Sequence, residues 1–194
     1  MGNTGKKSHL ALIVAALGLL IASVGFYCFY AAEAGFHLSA IVGCVIEAAL
    51  GIAALLYIVN GFKKRYALNY RVYFALVALS YVVETVFCVF DAEEASGYTG
   101  LVLGFVPTLI CYGNYFLLAF GKDLGKRNSL LLVGINLLLY VGMSAYYMTV
   151  CLLGNADGDV FRTAIRYIAL LLGCARDLVL VYGKYLDKDE RGTV

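Results

Sequence analysis

Six apolar stretches constrain this chain more than anything else in it, each close to the ~20 residues that carry an α-helix across the hydrocarbon core of a bilayer. They run over Leu10–Ala31, Leu38–Val59, Tyr70–Phe90, Thr99–Phe120, Ser129–Leu153 and Thr163–Tyr182. No water is present there to bond backbone N–H and C=O groups, so each run must satisfy its own, as a helix does. A β-barrel would need segments of about ten residues with strict alternation, and these runs are longer and do not alternate. The connections between them are too short for a soluble domain. The expected fold is therefore all-α, a single transmembrane domain over residues 1–194, built as a compact bundle of six helices. Composition settles the rival classes: 62% of the 194 residues are hydrophobic and only 14% charged, where soluble domains carry about 25% charged. A soluble fold of this size could not bury so much apolar surface, which excludes a soluble enzyme, a nucleic-acid reader and a disordered chain.

The charges orient the helices. Lys6 and Lys7 precede the first run; Lys63, Lys64, Arg65 and Arg71 lie at the second connection; Lys122, Lys126 and Arg127 lie at the fourth; Lys184, Lys188 and Arg191 follow the last. Twelve of the fifteen bases thus fall on one side. Glu33, Asp91, Glu93, Glu94, Asp157 and Asp159 fall on the other, with Arg162 the clear base among them. Bases collect on the cytoplasmic side, so both termini are expected there, in the plasma membrane. The first run is too long for a signal-peptide core and reads as a span that stays. Met1-Gly2 opens like a myristoylation site, but Lys6 stands where that motif wants Ser or Thr.

The chain also divides into three helical hairpins of about sixty residues. Each second helix ends in glycine and bases: Gly61 before Lys63-Lys64-Arg65, Gly121-Lys122 before Lys126-Arg127, and Gly183-Lys184 before Lys188. Either a duplicated unit, as transporters often carry, or the shared inner topology produces that echo.

Helices in lipid approach one another through small residues. Ala11, Ala15, Gly18, Ala22 and Gly25 form such a stripe on the first helix, expected to face the bundle. Gly43, Glu47, Gly51 and Ala54 share a face of the second helix; Ser80, Glu84 and Cys88 one of the third; Cys111, Asn114 and Leu118 one of the fourth; Ala169, Gly173 and Arg176 one of the sixth. The polar residues fall on these stripes. Counting along the helices at about 1.5 Å per residue puts Glu47 near mid-membrane, Glu84 in the outer half, and Asn114, Asn136, Arg176 and Asp177 in one inner layer. These six form the candidate ligand- or proton-binding set. An intramembrane charge costs at least ~2.5–3.5 kcal/mol and marks function by default. Three acids stand against one base, so at least one acid must be protonated, hydrated or cation-bound; Glu47, nearest the midplane, is the expected one. The small residues near Arg176 predict room for water around its guanidinium. The alternative is a structural ion pair.

Other residues read more plainly. Cys28, Cys44, Cys88, Cys111, Cys151 and Cys174 lie within the apolar runs without a C-x-x-C and read as packing residues. His9 and His37 sit at opposite ends and cannot share a metal, so no metal site is expected. Tyr27, Tyr30, Tyr66, Tyr70, Tyr98 and Tyr185 suit interfacial belts, and Tyr81, Tyr112, Tyr140 and Tyr167 lie deeper. Asn155–Asp159 opens like a calcium loop but lacks its twelfth-position ligand. Pro107 is expected to kink the fourth helix. No P-loop, dinucleotide fingerprint, G-x-S-x-G or H-E-x-x-H is present, and no cofactor is expected.

Two short stretches resemble known families. Ala11-x-x-x-Ala15 in the first of six spans is similar to the substrate-binding subunits of energy-coupling-factor vitamin importers. Leu79–Phe90 with Glu84, and Arg176-Asp177-x-x-Leu180, are similar to the acidic motifs of a lysoplasmalogenase family, which would make Glu84 and Asp177 a catalytic acid and base. The chain departs from that family where Val83-Glu84 stands in place of Gly-Asp, and its histidine has no counterpart; neither family is assigned. Three functions stay open. Binding or transport of a small solute leads and requires a cavity open from one face. A membrane-embedded lipid hydrolase requires two carboxylates at one cleft. A scaffold or assembly subunit, touching another membrane subunit through the first helix, requires a filled interior and an exposed small-residue stripe. The expected partners are the lipid bilayer, a small solute or lipid, and no nucleic acid.

Overall fold

The computed structural model describes residues 3–33, 35, 38–61, 67–91, 98–122, 124–153 and 160–191. Among these the chain is helical and contains no strand, with six helices: α1 (Asn3–Glu33), α2 (Leu38–Val59), α3 (Ala67–Asp91), α4 (Tyr98–Phe120), α5 (Gly125–Leu152) and α6 (Val160–Arg191). Helix is the outcome expected where apolar runs must close their own hydrogen bonds. Three helices are long and apolar enough to cross a membrane, over Lys7–Glu33, Ile41–Val59 and Gly125–Val150. Shorter apolar stretches cover Tyr70–Ser80 in α3 and Val106–Phe120 in α4. The outer surface is oily, with Leu10, Val14, Ile21, Val45, Leu56, Leu131 and Leu138 all exposed. The chain is a helical membrane protein.

Several helices run past their apolar cores. α1 begins at Asn3, about two turns before Leu10, and α6 continues through Lys184 and Lys188 to Arg191, because lysine and arginine are good helix formers in water. α2 stops at a left-handed residue, Gly61 at φ 69°, whose N–H bonds the Ile58 carbonyl at 2.9 Å. A side chain there would be strained, so glycine ends the helix. His9 Nε2 donates to that same carbonyl at 2.7 Å, which ties the start of α1 to the end of α2. Pro107 lies within α4, which continues through it to Phe120.

Each helix packs on the next, and α6 returns to both α1 and α2. Contact of α1 with α2 and α6, which also touch each other, seats α1 in the groove between them. Gly43 and Gly51 make the α1–α2 approach possible. A Cβ on Gly43 would stand 3.1 Å from the Tyr27 ring, and one on Gly51 would collide with Leu20. The core gathers Ala54, Ile58, Phe74, Cys111, Tyr115, Ala119, Val133, Leu180 and Val181 from five helices.

Two expectations are corrected. The α1 stripe does not face the bundle: Ala11, Ala15, Gly18 and Gly25 are exposed, and Ala16, Ser23, Tyr27 and Ala31 are the buried positions. Shape fit decides this, since the broad Tyr27 ring fills the hollow over Gly43 while α1's own glycines meet nothing. Tyr27, Tyr70 and Tyr185 are not lipid-facing belt residues either, being 6%, 4% and 5% exposed. They turn inward because the bundle ends offer hydroxyl and cation partners that lipid does not: Tyr185 meets the Ser129 hydroxyl at 3.2 Å, and Lys184 Nζ sits 3.6 Å above the Tyr70 ring.

Candidate functional site

Arg176 and Asp177 are consecutive on α6 and both buried, at 2% and 1% exposure. Consecutive helical residues point about 100° apart, so the two side chains leave α6 toward different neighbours, yet stay close enough for Arg176 Nε to lie 3.6 Å from Asp177 Oδ1. Arg176 Nη1 donates to Glu47 Oε2 on α2 at 2.5 Å. Its Nε donates to the Tyr73 hydroxyl on α3 at 2.8 Å. Tyr73 in turn donates to Asp177 Oδ1, and Tyr115 on α4 donates to Asp177 Oδ2 at 2.7 Å. Four helices therefore converge on one network, and both oxygens of Asp177 are bonded. Charge-assisted bonds of this kind are about twice as strong as neutral ones.

Local sequence explains the convergence. Gly173 lies one turn before Arg176 on α6, and the Glu47–Arg176 pair passes over it at van der Waals distance. A Cβ there would stand 3.6 Å from both Arg176 Nη2 and Glu47 Oε1. Phe74 packs beneath, 4.9 Å from the Tyr73 ring and 5.9 Å from the Tyr115 ring between centroids, and fixes both hydroxyls from below. With two acids and one base, the network carries a formal charge of −1.

A cavity adjoins it, lined by Glu47, Leu50, Val77, Ser80, Gly173 and Asp177 among others. It has about 10 Å³ of room for the centre of a water molecule, so it holds about one water. Arg176 lines this cavity too, so the room expected around its guanidinium comes to about one water, with Glu47, Tyr73 and Asp177 taking its other sides.

The sequence candidates divide accordingly. Glu47, Arg176 and Asp177 meet. Glu47, the acid expected to be protonated, hydrated or cation-bound, faces the guanidinium. Asn114 and Asn136 form a pair of their own, Asn114 Nδ2 donating to Asn136 Oδ1 at 2.6 Å, and Asn136 Nδ2 has no hydrogen-bond partner among the described residues. Glu84 lies on α3 one turn past Ser80, but its side chain is outside the described residues, as are those of Tyr81, Cys88, Cys151 and Arg166; His37 and Asn155–Asp159 lie wholly outside them. Tyr73 and Tyr115 are the residues that sequence reasoning missed. The signal was present for Tyr73, which stands seven and eleven residues before Ser80 and Glu84 on the same helical face. Tyr115 stands four residues after Cys111 on the α4 stripe. Among the described residues no three His, Cys, Asp or Glu side chains converge as metal ligands do.

No protein-family model matches the chain, nor does any curated protein or any solved structure.

Proposed function

We propose that this chain is a six-span plasma-membrane protein, both termini cytoplasmic, whose polar interior binds and passes a small solute in a proton-linked cycle. The observation that carries the reading is the meeting of Glu47, Arg176 and Asp177 beside a cavity they themselves line. Packing alone does not require three charges inside a membrane protein, where each is costly. A cavity of one water describes a closed conformation, so passage requires α2 and α6 to part. Protonating a carboxylate weakens the Glu47–Arg176–Asp177 attraction at the seam between those helices. Twelve of fifteen bases at one set of helix ends support the orientation.

Two measurements test this. For orientation, single cysteines at Glu94 and Asp157 in a cysteine-free background should react with impermeant thiol reagents from outside intact cells, and cysteines at Lys64 or Lys126 should not; the reverse pattern overturns the topology. For passage, Ser80→Cys in the same background should react with a small water-soluble methanethiosulfonate in membranes, faster when Glu47→Gln is added. A Ser80→Cys that stays inert in folded protein and reacts only after denaturation sinks the solute reading.

The second reading, an assembly subunit, is favoured by the outward stripe on α1, where Gly18 and Gly25 have nothing within 4 Å of a built Cβ. It requires an inert Ser80→Cys together with a defined larger complex that Gly18→Leu disperses. The hydrolase alternative draws less support, because Asp177, its candidate base, has both oxygens taken by Tyr73 and Tyr115 and lies beside Arg176.

A further inference from the structure

Cys111 and Cys174 are buried at 0% and 1% exposure, as packing cysteines are. The other two described cysteines differ. Cys28 on α1 is exposed and Cys44 on α2 half-buried, and their sulfurs stand 3.3 Å apart. Their position is fixed by the antiparallel register of the hairpin, in which Leu20 meets Gly51, Tyr27 meets Gly43 and Cys28 meets Cys44. The Tyr27–Gly43 contact lies one residue away on each helix and holds the backbones close beside the sulfurs. Cys28 is five residues before the end of α1 and Cys44 six after the start of α2, which sets both about 7–9 Å below the helix ends. With α1 long and apolar enough to cross a membrane over Lys7–Glu33, the exposed side of Cys28 at that position opens on lipid acyl chains.

We propose that Cys28 and Cys44 form a redox pair that oxidises to an α1–α2 disulfide, with a peroxidised lipid chain as the oxidant. An exposed thiol beside a second, resolving thiol is the arrangement that takes a peroxide through a sulfenic acid to a disulfide. Cys28 is the attacking residue, being the exposed one, and Cys44 resolves. The Cys28 sulfur attacks the outer oxygen of the lipid hydroperoxide; the O–O bond breaks, an S–O bond forms, and the departing alkoxide takes the thiol proton to become a lipid alcohol. Cys44 then attacks the Cys28 sulfur, and the hydroxyl leaves with the Cys44 proton as water. Two thiols and one hydroperoxide yield one disulfide, one alcohol and one water. The same chemistry is open to hydrogen peroxide, but that oxidant partitions to water while Cys28 opens on the acyl layer.

The experiment uses the full chain in phosphatidylcholine vesicles, with phosphatidylcholine hydroperoxide or hydrogen peroxide added at equal concentration under a chelator. The expected result is an intact mass about 2 Da lower, two hydrogens lost within the peptide holding both residues, and a faster rate with the lipid hydroperoxide than with hydrogen peroxide. In Cys44→Ser, dimedone should trap a sulfenic acid on Cys28; in Cys28→Ser no adduct should form on Cys44. Thiols that stay reduced with the lipid hydroperoxide overturn the proposal, as do equal rates with the two peroxides, an adduct on Cys44, or a bond between two chains. The wild-type mass needs no variant, so a misfolded serine mutant leaves the test intact.

Discussion

α1 meets α2 through glycines and aliphatic contact, whereas α6 meets α2, α3 and α4 through charge. On the α1 side the fit is one of shape, with Tyr27 over Gly43 and Leu20 over Gly51, beside polar ties from His9 to the α2 terminus and between the Cys28 and Cys44 sulfurs. On the α6 side two adjacent charged residues take partners from three helices. The difference is one of tolerance. A shape contact degrades gradually as volume is added or removed, while a buried charge that loses its partner has no water to fall back on.

Four substitutions probe that contrast, in falling order of effect. Arg176→Gln strands Glu47 and Asp177 and should lower stability in detergent by about 3–5 kcal/mol, read as a large drop in melting temperature. The double change with Asp177→Asn should recover part of it. A single mutant as stable as wild type would mean that water already solvates the network and would erase the contrast. Tyr115→Phe removes one of the two hydroxyls on Asp177 and should cost about 1.5–3 kcal/mol, the range for a hydrogen bond to a charged group. Gly43→Ala presses a methyl on the Tyr27 ring and should cost up to about 1–3 kcal/mol, less if the ring can slide; a cost equal to that of Arg176→Gln would show that shape is no more forgiving than charge. Gly18→Ala on the open face of α1 should change monomer stability by no more than about 0.5 kcal/mol. A larger loss, confined to an oligomeric form, would turn α1 from a peripheral helix into an interface.

What was legible in the sequence follows the same division. The helices could be read because an apolar run of about twenty residues has one way to satisfy its backbone, and α2 begins and ends where its apolar run does, at Leu38 and Val59. Position along each helix was readable by counting. Rotation and neighbours were not. Nothing local says that α6 stands beside α2, so the Glu47–Arg176 pair, 129 residues apart in the chain, could only be found in three dimensions. The α1 face was misread for a related reason: small residues mark where a helix can approach another, and α1 carries them on more than one side. Tyr73 was missed because a tyrosine near a helix end suits the interface as well as the interior.

The adjacency of Arg176 and Asp177 bears on how the protein is made. Synthesis delivers Glu47, Tyr73 and Tyr115 first and their common partners last. At about 5–20 residues per second the ribosome needs roughly 6 to 26 seconds to travel the 129 residues from Glu47 to Arg176. Through that interval the nascent chain holds an acid in α2 without its base. Pairing of the Glu47 carboxylate therefore waits for α6, which brings its base and a second acid into the bundle together.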